Sequence, residues 1–334
     1  MKYIINFLIG LAFFQFHAFA QDASRLHEMG KNYLVDGDYS NAESLLQQAH
    51  ELDTNNLVYI KDLTLCYYFQ KAYNSALNII TKTVDSESAD DESYQIAGNI
   101  YKALNQLTAS ELVYKKGLKK YPQNGVFYNE IGELLSLQNN NECIEYWEKG
   151  IEFAPEYAKN YYNASKYYAN SKELIWCMLY AEIFINMEPA NKKTPEIKDM
   201  LLSSYQKLFA SFKVEGGTKD KNKFVQKILN HLNNQRKIAD VAGLTTTSLT
   251  MMRTRFILDW YHDKPEKFPF QLFDYQQQLL KNGMFEAYNQ WLLGSSENLI
   301  NFQNWTQFHS QEYNSFIKFL RAQPFVMPKG QYYF

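Results

Sequence analysis

Residues 29–42 read Met-Gly-Lys-Asn-Tyr-Leu-Val-Asp-Gly-Asp-Tyr-Ser-Asn-Ala, and this stretch decides the fold. Gly30 and Tyr33 lie in one segment of helical apolar spacing, Asp36-Gly37-Asp38 breaks it, and Ala42 lies in the segment that follows. The same pattern returns along the chain. Tyr33, Tyr67, Tyr101 and Leu135 stand 34 residues apart, as do Ala42, Ala76 and Ser110, and Leu46, Ile80 and Tyr114. Gly30 starts a glycine column that Thr64 interrupts and that Gly98 and Gly132 resume, and Pro155 and Pro189 are again 34 apart. Self-similarity at such a period means a stacked array, because one unit cannot bury its own apolar face.

Each row predicts two amphipathic helices joined by a short turn, at Asp36-Gly37-Asp38 in the first row and Gln138-Asn139-Asn140 in the fourth. A glycine inside a helix costs about 1 kcal/mol against alanine. Gly30, Gly98 and Gly132 therefore point to places where a neighbouring helix comes close. Ala42, Ala76, Ser110, Cys143 and Cys177 form one column of small residues in the second helices, and Pro122, Pro155 and Pro189 end those helices.

These columns resemble the tetratricopeptide repeat (TPR) family. The likeness is carried by Met29-Gly30-x-x-Tyr33 with Gly37-Asp38-Tyr39-Ser40-Asn41-Ala42, by Ala97-Gly98-x-x-Tyr101, and by the second helix from Cys143 through Trp147 and Gly150 to Pro155. The resemblance implies an all-α fold, a TPR α-solenoid of stacked helix-turn-helix pairs followed by a helical carboxy-terminal region. Five repeats fall at about 23–56, 57–90, 91–124, 125–157 and 158–191, with a capping helix near 195–210. The expected organisation is a signal peptide over 1–20, the repeats and cap over 21–210, and a helical region over 211–334.

The first twenty residues combine Lys2, an apolar run from Phe7 to Phe14 and Ala18-Phe19-Ala20 as a cleavage site, which leaves Gln21 as the first mature residue. The run is too short to span a bilayer. No cysteine stands at the cleavage point, so the expectation is a periplasmic or secreted protein without a lipid anchor. Cys66, Cys143 and Cys177 read as small buried residues, with no disulfide between Cys143 and Cys177.

After residue 210 the register fades and the charge changes sign, from −8 over 21–210 to +5 over 211–334. Val214-Glu215-Gly216-Gly217-Thr218 reads as a hinge. Helices are expected over 221–241, 246–262, 270–282, 284–293, 297–309 and 311–322. Leu279 to Gly294 echoes a repeat hairpin, and the Pro-interrupted stretch 324–334 is expected to lie extended over the helices.

The net charge of −2 gives no global reason to expect a nucleic-acid partner. The seven basic residues between Lys213 and Lys237 read as a solvated helix surface. There is no His-Glu-x-x-His, Cys-x-x-Cys, Gly-x-Ser-x-Gly or P-loop. No catalytic residue, metal site or cofactor is therefore expected, and the protein reads as a non-enzyme. Asp259, His262 and Asp263, at i, i+3 and i+4, are the best candidates for an alternative in which an enzyme or an envelope-assembly component has its activity in the region after 211. The leading expectation is an interaction scaffold whose inner, first-helix surface binds a peptide or protein. The matching positions are Lys61, Leu65, Tyr68, Asn99, Lys102, Asn129, Tyr162 and Lys166. Cations, amides and aromatics together suit an extended peptide with an acidic group. They do not reproduce the family's chaperone-binding carboxylate clamp.

Overall fold

The structure is a computed structural model and describes residues 21–215, 220–262 and 267–334. The expected export signal, most of the expected hinge, and Asp263 lie outside the described residues. The described residues form two compact units, divided between Pro122 and Gln123, and they are helical with no strand.

The first unit holds three helix pairs. They are α1 (21–36) with α2 (Tyr39–Leu52), α3 (Leu57–Phe69) with α4 (Tyr73–Val84), and α5 (Asp91–Ala103) with α6 (Leu107–Lys120). Asn56 and Asp90, 34 residues apart, cap α3 and α5 by accepting from backbone N–H groups two or three residues on. The turns inside the pairs share one geometry. Gly37, Lys71 and Asn105 all have positive φ, at 80°, 62° and 58°. The next residue's N–H donates back to the carbonyl of Tyr33, Tyr67 or Tyr101, each at 2.9 Å. The tyrosine column thus also marks the carbonyl that closes each helix, six residues before the chain turns into the next one.

Where the glycine column holds, the second helix packs on its backbone. A Cβ at Gly98 would lie 2.2 Å from the Tyr114 ring, and one at Gly30 would lie 2.8 Å from Leu46 Cγ. Ala42, Ala76 and Ser110 are fully buried. The Ser110 hydroxyl donates to the Gly98 carbonyl at 2.8 Å.

The second unit begins with α7 (Gly125–Leu137) and α8 (Cys143–Phe153), then α9 (Ala158–Tyr168) and α10 (Leu174–Met187). Asn124 continues the cap column, and Asn139, with φ 56°, continues the turn column. Gly132 takes Trp147 against its backbone, where a Cβ would meet the indole nitrogen at 2.3 Å. All three cysteines are buried and free. Burial pushes the Cys177 thiol up to about 11, against a weaker opposing hydrogen bond to Ser204.

Helix α10 is apolar around its whole circumference, and every residue from Leu174 to Asn186 is buried. Such a helix needs cover on all sides. The cover comes from α9, from α11 (Thr194–Glu215) and from residues beyond 211 in the same unit. The expected cap is thus a longer helix, continuous through the start of the expected hinge. There follow α12 (Lys223–Asn234), α13 (Arg236–Ala242), α14 (Thr246–His262), α15 (Gln271–Lys281), α16 (Phe285–Asn289), a π-helical turn (Gln290–Gly294), α17 (Ser295–Glu297), α18 (Leu299–Phe308) and α19 (Ser310–Ala322). The single helix expected over 221–241 is two helices that break at Gln235. Between α15 and α16 the repeat turn returns: Gly283 has φ 69°, and the Met284 N–H donates to the Leu279 carbonyl at 2.9 Å.

One buried network ties this unit together. Arg253 on α14 donates to both carboxylate oxygens of Glu182 on α10, at 2.8 and 2.5 Å. Gln276 Nε2 and the Tyr288 hydroxyl donate to Glu182 Oε1 at 2.6 and 2.7 Å. Arg253 also donates to the Tyr205 hydroxyl at 2.7 Å. Glu182 and Arg253 are each 3% exposed, so each charge depends on the other.

Candidate functional site

The eight residues expected to line a binding surface divide between the units. Lys61, Leu65 and Tyr68 lie on α3 and Asn99 and Lys102 on α5 of the first unit; Asn129 lies on α7 and Tyr162 and Lys166 on α9 of the second.

In the first unit these side chains are largely engaged in structure. Lys61 Nζ pairs with Asp90 Oδ2 at 2.7 Å and Glu92 Oε2 at 2.5 Å. Burial lowers the Lys61 pKa, but the two carboxylates outweigh it and hold the group above the usual lysine range. Asn99 Oδ1 accepts from the Tyr114 hydroxyl at 2.7 Å. The half-buried Tyr68 ring packs on Phe69 and Tyr73, with centroids 5.7 and 5.6 Å away. Leu65 and Lys102 are half-buried.

In the second unit two of the three predicted residues, Tyr162 and Lys166, line a common opening. A cleft of about 430 Å³ is lined by Glu133, Ser136, Leu137, Trp147, Tyr162, Asn163, Lys166, Tyr167 and Lys193. Asn129 lies fully buried behind it. Its Oδ1 accepts from Asn163 Nδ2 at 2.8 Å, and its own Nδ2 donates to Glu133 Oε1 at 3.2 Å. Asn129 on α7 and Asn163 on α9 lie on the first helices of successive repeats, and the packing of those helices brings the two amides together. On the other wall the Tyr162 ring faces two cations, Lys193 Nζ at 4.4 Å and Lys166 Nζ at 5.1 Å from its centroid. Lys166 also donates to the Tyr162 hydroxyl at 3.1 Å and pairs with Glu196 at 3.0 Å. The hydrogen bond to Glu196, then that to Tyr162, raises its pKa.

The cleft thus has an acidic, amide-bearing wall and a cationic, aromatic wall. An extended chain has a matching need: its amides want donors and acceptors, and an acidic group wants the lysines. Sequence reading missed Glu133, Asn163 and Lys193. Glu133 was detectable, because it stands one period after Asn99; Asn163 is one place off the Asn129 column, and Lys193, beyond the fifth repeat, had no periodic signal.

The alternative site is less well assembled. Asp259 Oδ2 accepts from Gln235 Nε2 at 3.0 Å, and His262 is exposed at the end of α14. Neither lines the cleft described above. Among the described residues no group of three or more His, Cys, Asp or Glu is placed to hold a metal ion. No helix among them is long and apolar enough to cross a membrane.

A titrating carboxylate lies on α8 nearby. Glu148 Oε1 accepts from the Tyr168 and Tyr180 hydroxyls at 2.7 and 3.4 Å. Burial pushes the group up to about 7, against the two hydrogen bonds, with Glu173 and Glu145 adding to the rise. An acid raised in the folded state stabilises the fold fully below its unfolded value of about 4.5. That contribution is lost as pH rises through about 7. Glu148→Gln is therefore expected to flatten the pH dependence of the melting temperature between pH 5 and 8. At pH 8 it should add about 1–2 kcal/mol, less than the full shift implies because the carboxyl is partly solvated. Thermal melts of both proteins across that range check it; parallel curves would contradict it.

No family model and no curated protein matches the chain. Solved structures do. PilF from Pseudomonas aeruginosa is 13% identical with a TM-score of 0.49, over 60% of this chain and 95% of its own. TTC0263, a thermophilic TPR protein of Thermus thermophilus, is 13% identical with a TM-score of 0.43, over 55% and 99%. YrrB, described as a TPR protein with an unusual peptide-binding site, is 15% identical with a TM-score of 0.40, over 55% and 92%. At this level the similarity is one of architecture, and the repeats stand on this chain's own residues. The 34-residue columns, the close glycine crossings and the recurring left-handed turn make this an all-α chain of tetratricopeptide-type helix pairs followed by further helices.

Proposed function

We propose that this protein is an exported, non-catalytic interaction scaffold that holds an extended peptide segment of a protein partner. The observation that carries the reading is the second-unit cleft, with Tyr162 between Lys166 and Lys193 facing Glu133 and the Asn129–Asn163 amide pair. A preformed polar cleft on packed helices lowers the ordering cost of binding. The lysine wall favours a ligand with an acidic side chain or a free carboxylate. Lys61, in the first unit, is no part of this cleft, and Asp90 and Glu92 already neutralise it.

The test reverses the charge of the cationic wall. Lys166→Glu with Lys193→Glu is expected to reduce partner capture from envelope and secreted fractions at least tenfold, with helicity and melting temperature near wild type. Loss of one charge-assisted contact per lysine, each about 1.5 kcal/mol, is enough for that. Undiminished capture by the folded double variant would place the binding surface elsewhere. Export is tested separately. Amino-terminal sequencing of the native protein is expected to begin at Gln21; recovery with Met1 intact would remove the periplasmic or secreted assignment.

A further inference from the structure

The segment Pro324–Phe334 crosses the second unit as a strap with no helical structure. Among the described residues its backbone makes no hydrogen bond to the backbone of any helix it crosses. Side chains hold it instead, in the way a bound peptide is held. Phe325 and Met327 are buried while Val326 between them is exposed, the alternation of an extended chain. Phe325 meets Tyr275 edge-on at 5.3 Å.

The second half of the strap has a more specific seat. The Tyr333 ring packs against Phe224 at 4.4 Å, Phe268 at 5.4 Å and Phe270 at 6.1 Å. Its hydroxyl donates to the Pro269 carbonyl at 2.6 Å. Asn222, which caps α12 through its Oδ1, turns its Nδ2 to the Tyr333 carbonyl. Gln331 Oε1 accepts from the backbone N–H of Gln271, the first residue of α15, a helix whose cap residue offers it no side chain. Two helix starts and a three-ring aromatic pocket thus read one Gln-x-Tyr pattern. The flanking Tyr332 and Phe334 stay 39% exposed each.

We propose that this seat is a second peptide-binding site, separate from the cleft on α7 and α9, which the strap fills in cis and which accepts in trans an extended, uncharged partner segment carrying a Gln-x-Tyr pattern. The strap acts as a competing ligand. A tethered segment competes at an effective concentration of the order of millimolar, so a free peptide meets a mostly filled seat in the intact chain.

The test uses a fluorescent synthetic peptide with the sequence of residues 324–334 and the full-length chain. Fluorescence anisotropy is expected to show weak binding to wild type and at least tenfold tighter binding to Tyr333→Ala, whose strap no longer fills the pocket. A peptide with alanine in place of that tyrosine is expected to lose the binding. Circular dichroism verifies that Tyr333→Ala is folded. If it is not, Gln331→Ala, which removes only the contact to α15, takes its place with the same expected direction. Equal affinity for wild type and the folded variant, or binding to neither, would overturn the proposal. So would a dimer in sedimentation that excludes the peptide.

Discussion

Arg253→Met is expected to cost the second unit about 3–5 kcal/mol, the usual result of removing one partner of a buried ion pair. The cost arises in what is left behind. Glu182 is 3% exposed and would be left with only the Gln276 and Tyr288 donors. Tyr205 would lose its partner as well. Replacing both charges, Glu182→Leu with Arg253→Met, is expected to recover part of the loss. It cannot recover all of it, since Gln276 and Tyr288 then lack their acceptor. Urea unfolding followed by circular dichroism reads both variants. A loss under about 1 kcal/mol for the single change would mean that water reaches Glu182 and that the pair is not sealed.

Gly98→Leu is expected to cost the first unit about 3 kcal/mol, the upper part of the range for overpacking. Even Gly98→Ala should be unfavourable. Helix propensity alone favours alanine by about 1 kcal/mol. Its Cβ, however, would sit 2.2 to 2.6 Å from three atoms of the Tyr114 ring. That ring is fully buried, and its hydroxyl is committed to Asn99, so it has little room to move. A Gly98→Ala protein that melts higher than wild type would show that the α5–α6 crossing is looser than described.

Much of the local structure was legible in the columns. Ala42, Ala76 and Ser110 were read as crossing points from their size and spacing, and all three are fully buried. The left-handed turn was most legible at the glycines, Gly37 and Gly283. Asn105 and Asn139 adopt the same conformation with the residue type that tolerates it best after glycine, and Lys71 adopts it with neither. There the cost of a positive φ is outweighed by the packing of the two helices that the turn joins.

The candidate site was legible in half. Tyr162 and Lys166 were found because first-helix positions recur with the period. Glu133 was legible by the same rule, since it stands one period after Asn99, but Lys193, beyond the fifth repeat, was not. The buried network had no signal in the columns. Neither Glu182 nor Arg253 belongs to one, and 71 residues separate them.

The sequence by itself determined the helix pairs and their close crossings. These depend on spacings of three and four residues within a row and of 34 between rows. Only the tertiary structure decided which charges are available to a partner. Lys61 looks like a free cation in its row, but carboxylates 29 and 31 residues away neutralise it. Lys193 lacks any pattern, but packing sets it over Tyr162 at the mouth of a cleft. The physical reason is that helix formation and turn geometry are near-neighbour effects, whereas the availability of a charge is set by every group that folding brings within a few ångströms of it.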